Sequence, residues 1–432
     1  MVFKGGIHPN YNKLTAKSPI EKAEIPSKVI LPLSQHIGAP CNSLVKVGDK
    51  VKTGQKIAES SSNCSAPIHA SISGEIKSIE ELPHPISGKP TLSIVIESDG
   101  KDEKIKREKR KYKSLSKEKL LEIIKEAGIV GLGGAAFPTH VKLFPPKNKL
   151  IDTLIINGAE CEPYLTTDHR LMLEKSDQLI EGIRIIEKIL TPKNIIMGIE
   201  SNKKDAIKIL KQKTKNSNIK IAILKTKYPQ GGEKMLIYSL TKRKVPGGGL
   251  PMNIGCVVQN VGTIIAIYEA VALSKPLYER VITITGSVNS PKNLLVRNGT
   301  LISELIAQAG DYKGDPIKLL NGGPMMGVAM PTDELPIIKG TSGLTVLNKK
   351  DVQKRNELEC IRCGACVNVC PMNLNPTLIA KCAEKGKIDL AEKLNALSCI
   401  ECGCCEFICP SNIPLVHWIK YAKSEISKKR KK

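Results

Sequence analysis

Apolar and polar residues change period several times along this chain, and each change marks a different kind of element. Between Val29 and Glu80, short stretches such as LVKVGDKVKTGQKIAE and APIHASISGEI alternate around a Gly-Asp hairpin, which predicts the short strands of a small β unit. LSKEKLLEIIKEAG, ending at Gly128, has the spacing of an amphipathic helix. It feeds into IVGLGGAAFPTHVKL, Ile129 to Leu143, where glycines at 128, 131, 133 and 134 concentrate backbone freedom ahead of a helix. LIDTLIING then reads as a strand whose apolar run ends at Ile156 and opens into Asn157, Glu160 and Glu162. YPQGGEKMLIYSL, Tyr228 to Leu240, sets glycines and Glu233 before a helical pattern, and CVVQNVGTIIAIYEAV presents Gln259, Asn260 and Thr263 at the start of an apolar helix. The stretch Glu279 to Gly310 is again strand-rich, and Thr377 to Leu397 is helical, broken at Gly386.

Two of these transitions carry candidate chemistry. Polar groups just past the carboxyl end of a strand are where α/β sheets place ligands, and bare backbone amides in a glycine loop attract anions. A plain tight turn is the alternative for the loop taken alone. The cysteines are more specific. CIRCGACVNVCP (Cys360 to Pro371) and CIECGCCEFICP (Cys399 to Pro410) both have the spacing CxxCxxCxxxCP. Three cysteines so spaced wrap one face of a [4Fe-4S] cluster, and the fourth, before proline, reaches the other cluster. The expected sets are Cys360, Cys363, Cys366 and Cys409 for one cluster, and Cys399, Cys402, Cys405 and Cys370 for the other. Zinc ribbons use CxxC doublets rather than triplets followed by CP. Cys382 and Cys404 are left over as small buried or exposed thiols.

With aromatics at 3% of residues, the cores must be built from Ile, Leu, Val and Ala, which suits α/β and small β units. The formal charge of +24 comes from dispersed lysine. The densest stretches, Lys101 to Lys113 and the terminal SKKRKK, lack interleaved aromatics to stack on bases, so nucleic acid is not an expected partner. MVFKGGIHPN has no apolar signal region, which predicts a cytosolic, reducing setting in which clustered cysteines ligate metal. The longest apolar stretch, Asn253 to Leu273, is interrupted by Gln259, Asn260 and Glu269, so no membrane span is expected.

GLGGAAFPT, INGAECEPY, YPQGGEK, VVQNVGT and NGGPMMG (Asn321 to Gly327), with the cysteine strings, resemble the NADH-binding flavoprotein subunit of respiratory complex I. They resemble still more closely the C subunit of the Rnf electron-transport complex, over nearly the whole chain. The Val29 to Glu80 segment resembles a lipoyl or biotinyl barrel-sandwich, but His69 and Ser71 stand where the swinging-arm lysine would be, so a docking or covering module is expected. Glu279 to Gly310 resembles the β-grasp unit (SLBB-like) found beside the flavin domain in complex I, read as a structural bridge. The implied architecture is multidomain α/β. A barrel-sandwich hybrid β domain (1–100) and a charged linker (101–116) precede a Rossmann-like FMN/NAD(H)-binding domain (117–275). A β-grasp domain (276–345), a helical ferredoxin-type domain with two [4Fe-4S] clusters (346–425) and a basic tail (426–432) follow.

The resemblance also implies an FMN held by Gly131, Gly133, Gly134, Lys142, Asn157, Gln259, Asn260 and Thr263. NAD(H) would stack near Phe137, with Glu160, Glu162 and Glu233 lining its nicotinamide and ribose side, orienting rather than transferring protons. Departures from the complex I pattern are Lys234 for the second acid of Gly-Glu-Glu, Ala159 for Asp, and Gln259-Asn260 for Asn-Asn. The implied role is a peripheral subunit at the cytoplasmic face of the membrane, in a ferredoxin:NAD oxidoreductase that moves Na+ or H+. Its implied partners are the other Rnf subunits, NAD(H) and, indirectly, ferredoxin. Two alternatives stand beside it. One is a soluble flavin subunit of an NAD-linked hydrogenase or formate dehydrogenase, which would usually add a two-iron domain for which no cysteine set is present. The other is a non-catalytic electron-wiring or assembly protein without flavin.

Overall fold

Four strands, Thr153–Gly158, Asn194–Glu200, Ile219–Leu224 and Cys256–Asn260, are nearly continuous apolar runs, the pattern of strands covered on both faces. In the computed structural model, which describes residues 3–146, 148–352 and 356–430, all pair in parallel. Their spatial order is Ile219–Leu224, Asn194–Glu200, Thr153–Gly158, Cys256–Asn260. The chain therefore winds outward from Thr153–Gly158 on one side and then returns to place Cys256–Asn260 on the other. Helices Lys117–Glu126, Ser176–Leu190, Lys204–Lys213 and Val261–Leu273 complete its core. Ser176–Leu190 and Val261–Leu273 come so close at Gly182 that any Cβ there would run into the Ile264 carbonyl oxygen.

Ahead of this unit lies the small β domain. One sheet orders Lys28–Pro32, Pro90–Ser98, Gly74–Pro83 and Lys50–Val51, and a second joins Asn42–Ser43, Lys56–Glu59 and Ile68–His69. The tip where a carrier lysine would sit is buried. His69 is 6% and Ser71 0% exposed, Ser71 Oγ donates to Asn298 O at 2.5 Å, and Lys339 Nζ bridges Pro67 O (2.6 Å) and Gly128 O (2.8 Å). The charged linker is also docked: Arg110 N donates to Ala272 O at 3.0 Å and Arg297 pairs with Asp102 at 2.7 Å.

A six-stranded mixed sheet orders Ile20–Lys22, Lys292–Arg297, Glu279–Gly286, Gly343–Asn348, Pro316–Asn321 and Val328–Met330. It draws in two pieces from outside the expected 276–345: its first strand lies before the small β domain, and Gly343–Asn348 runs past residue 345. Parallel pairing of Ile20 with Asn293 explains the first, because it covers an otherwise open edge.

The C-terminal module is helical, with Ala365–Val369, Pro376–Glu384, Ile388–Lys393, Cys404–Phe407 and Leu415–Lys429. Pro376 opens its helix at the first position, and Asn375 caps it by accepting from Leu378 N at 3.1 Å. Gly386, at φ +68°, makes the break between two helices. Among the described residues no helix is long and apolar enough to cross a membrane.

Candidate functional site

Asn157 and Asn260 end adjacent parallel strands and face each other in register. The winding direction reverses between those strands, and such a reversal opens a crevice outside the strand ends. Asn260 caps helix Val261–Leu273, its Oδ1 accepting from Gly262 N (2.8 Å) and Thr263 N (3.3 Å). That fixes the amide so that Nδ2 donates to the Asp168 carboxylate at 2.7 Å. Thr263 Oγ1 accepts from Leu132 N at 2.8 Å, which lays the glycine loop across the helix start. The loop closes on itself through Gly131 N to Phe137 O (2.9 Å) and Ala136 N to Gly131 O (3.1 Å). A Cβ on Gly133 would stand 3.4 Å from Asn260 Cβ, and Gly134, at φ +109°, has nothing within 4 Å of its Cβ position. Both glycines are exposed. The helix after the loop is a single turn, Thr139–Lys142, too short for much of a dipole; the longer Val261–Leu273 helix starts at the same crevice.

The YPQGGEK loop is held against this crevice by Asn157 Nδ2, which donates to Gly231 O at 2.9 Å. Lys142 Nζ pairs with Glu233 at 2.6 Å, so a cation and an acid assigned to different ligands are brought together. Gln259 is buried, and its Nε2 has no partner. Phe137 is half-buried at the far end of the glycine loop.

The acids after Gly158 are each tied to a neighbouring element. Glu160 accepts from Asp168 N (2.8 Å) and His169 N (3.3 Å), capping helix Thr167–Glu174. Glu162 accepts from Met325 N (2.7 Å) and Met326 N (3.2 Å) and so holds the NGGPMMG loop. Burial pushes Glu162 up to about 7 against the pull of those two amides. Asp168 is raised too, by burial first and then by the Glu160 charge. Sequence reasoning did not single out Asp168; its mark is an acid in a helix's first turn, a signal shared with many surface helices.

The cysteine strings face two ways. Cys370 lines one small cavity together with Cys399, Cys402, Cys405 and the leftover Cys404. Thus the residue before proline in the first string joins the triplet of the second. Cys366 packs in an apolar cluster with Cys405 and Leu415, with Cys409 at its edge, and its Sγ lies 2.8 Å from Thr377 Oγ1. Cys360 is half-buried and Cys363 exposed. Gly364 and Gly403 take φ +73° and +78° as they start the short helices carrying each triplet's last cysteine. Tyr228 Oη donates to Cys402 O at 2.7 Å, and Ile7, Cys161, Tyr228, Cys402 and Cys404 share one apolar cluster. The second-string cavity therefore abuts the flavin-type domain. Among the described residues no three His, Cys, Asp or Glu side chains converge as around a single ion. The residues fit the two groups expected of them: an open glycine loop, an orphaned amide donor and a nearby lysine suit an anionic heteroaromatic cofactor, and soft thiols spread around a cavity suit a multi-iron cluster.

Family models match along the chain. They are the RnfC barrel sandwich hybrid domain over residues 1–101, the Nuo51 FMN-binding domain over 124–269, the SLBB domain over 281–329 and a 4Fe-4S dicluster domain over 353–410. The C subunit of the proton-translocating ferredoxin:NAD(+) oxidoreductase complex of Clostridium ljungdahlii is 51% identical over 387 residues, covering 89% of this chain and 84% of that one. This chain belongs to the family of Rnf complex C subunits. The C subunit of the Na(+)-translocating ferredoxin:NAD(+) oxidoreductase complex of Acetobacterium woodii is 44% identical and aligned over 100% of this chain and 98% of its own. The C subunit of the ion-translocating oxidoreductase complex of Vibrio cholerae is 43% identical over 90% of this chain but 51% of its own length, so family members differ widely in size. A chain of an NAD+-reducing [NiFe]-hydrogenase in the H2-reduced state superposes with a TM-score of 0.52 at 17% identity, covering 73% of this chain and 66% of that one. At that identity the likeness is one of fold.

Proposed function

We propose that this chain is the peripheral NAD(H)-reactive subunit of a membrane-bound, ion-translocating ferredoxin:NAD oxidoreductase, working at the cytoplasmic face with the other subunits of the complex. The observation that carries the reading is the joining of two sites in one chain: a glycine-loop crevice at the sheet's reversal point, and a thiol-lined cavity packed against the same domain through Tyr228 and Cys402. Bound there, FMN would exchange a hydride with a nicotinamide and single electrons with the cysteine-held [4Fe-4S] clusters.

The chain's own residues supply position and electrostatics. Gly131, Gly133 and Gly134 would let the backbone approach the cofactor, with Asn157, Gln259 and Asn260 offering amide contacts and Lys142 a positive charge. Thr263 fixes the loop through Leu132 N. Phe137 would pack against NAD(H), with Glu160, Glu162 and Glu233 shaping that side, each orienting a loop rather than passing a proton. Cys370, Cys399, Cys402 and Cys405 would hold the cluster nearer the flavin. Cys360, Cys363, Cys366 and Cys409 would hold the outer one, where Cys363 is exposed. The complex's other subunits would carry the ion path.

Anaerobic isolation with flavin, iron and sulfide analysis tests the reading. NADH should bleach both chromophores, and Gly133→Val should lower NADH oxidation by ferricyanide with iron content unchanged. Full iron with no flavin and no bleaching by NADH would overturn it.

A further inference from the structure

We propose that the segment from Phe3 to Thr15 is a strap that sets the spacing between the flavin crevice and the cysteine module, with Lys13 as its positioning residue and Gly5 and Gly6 as its seats. The proposal rests on the functional reading above only in naming what is being spaced.

The segment runs between units that the sequence places hundreds of residues away. At one end Gly6 N donates to Val369 O at 2.7 Å, next to Cys370. Ile7 then pairs both ways with Tyr228, N to O at 2.8 Å and O from N at 3.0 Å. Tyr11 O accepts from Tyr164 N at 2.8 Å. Lys13 Nζ donates to the carbonyl oxygens of Glu160 (2.9 Å), Glu162 (2.8 Å) and Leu165 (2.5 Å). Thr15 closes the run on Thr166 Oγ1 (2.5 Å) and on Asn293 Nδ2, which donates to its carbonyl at 3.0 Å. One short segment thus touches the cysteine module, the YPQGG loop, the acidic loop and the six-stranded sheet in turn.

Two features separate this from an ordinary packed tail. An ammonium has three donors, and Lys13 spends all of them on backbone carbonyls of the loop that carries Glu160 and Glu162. Desolvation lowers its pKa while the Glu160 charge pulls it back up, and the three carbonyls stand where water would otherwise solvate the amine. At the other end, Gly5 (φ +76°) would put a Cβ 2.8 Å from the Val369 and Cys370 carbonyl oxygens, and Gly6 (φ +78°) one 2.5 Å from Tyr228 O. Those are backbone atoms, which cannot swing aside as a side chain would, so any side chain at either seat must push the two units apart.

The test uses the full chain, loaded anaerobically, and two variants. Lys13→Met keeps the stem and removes the three donors. In hydrogen exchange, the amides of Gly6, Ile7, Tyr164 and Tyr228 should then exchange about tenfold faster, as a local opening that has lost roughly one strong hydrogen bond would, while those of Ile156 and Met197 in the parallel sheet stay protected. In rapid mixing with NADH, Gly6→Val should bleach its flavin at the parent's rate yet reduce its clusters severalfold more slowly, since electron transfer between separate groups weakens steeply as they are pushed apart. Unchanged protection in Lys13→Met overturns the strap, as does parent-like cluster reduction in an iron-replete Gly6→Val. If Gly6→Val loses iron, the exchange result for Lys13→Met decides alone. If the parent itself shows no flavin bleaching, the functional reading fails while the exchange result still judges the strap.

Discussion

Glu162 joins two loops through one carboxylate, and its titration makes that joint pH-sensitive. Its folded pKa of about 7 lies above the ordinary 4.5, so the folded protein holds a proton there that the unfolded chain releases. The associated stability is complete below about pH 4.5 and is lost as pH rises through about 7; a shift of this size corresponds to about 3 kcal/mol. Relative to Glu162→Gln, the melting temperature of the parent should therefore fall between about pH 4.5 and about pH 7. Asp168 is raised in the same sense, so its removal should reduce the fall as well. Asp168 also holds Asn260, so Asp168→Ala strands the Asn260 Nδ2 donor and should cost about 1–3 kcal/mol, with less flavin retained per chain. Asp168→Asn, which keeps an acceptor, should lose much less on both measures.

At the level of helices and strands, the close approach at Gly182 decides a sign. Alanine in a helix is ordinarily better than glycine by about 1 kcal/mol, yet here the added methyl meets the Ile264 carbonyl oxygen on the neighbouring helix. Overpacking of that kind costs about 1–3 kcal/mol. Gly182→Ala should thus lower the melting temperature, and a rise would mean that the helices can part without loss. The strand Thr153–Gly158 was legible in the sequence because burial on both faces leaves a continuous apolar run, TLIING, whereas CVVQN, read as the start of the apolar helix that follows it, is a strand of the same sheet; the cysteine spacing was legible because ligation fixes it. The segment before Ser27 was not. Its alternation is weak, its strand Ile20–Lys22 pairs with Asn293–Leu295, and Lys13 bonds to backbone carbonyls, which carry no residue identity for a sequence to reveal. Asp168 was missed for a related reason, since its partner Asn260 lies on a strand end far along the chain.

On the scale of the whole molecule, the C-terminal module has thiols in both of its small cores: Cys370 and Cys382 in one, Cys366 and Cys405 in the other. Folding there should be tied to metal, as in other small metal-built units. Chelating the iron should remove exchange protection from residues 356–430 while the parallel sheet keeps its own. Because the first string lends Cys370 to the second string's cavity, Cys370→Ala should cut iron per chain by about half and remove the cluster signal beside Tyr228 first. Retention of both cluster signals would separate Cys370 from ligation.

The buried tip of the small β domain has a further consequence. A swinging arm needs slack and a tip that modifying enzymes can reach, but here the turn carrying His69 and Ser71 is wedged beneath Gly128, Asn298 and Lys339. A carrier's hinge has become a keystone: nothing hung from it could travel, and whatever this chain exchanges with its surroundings must be brought to it.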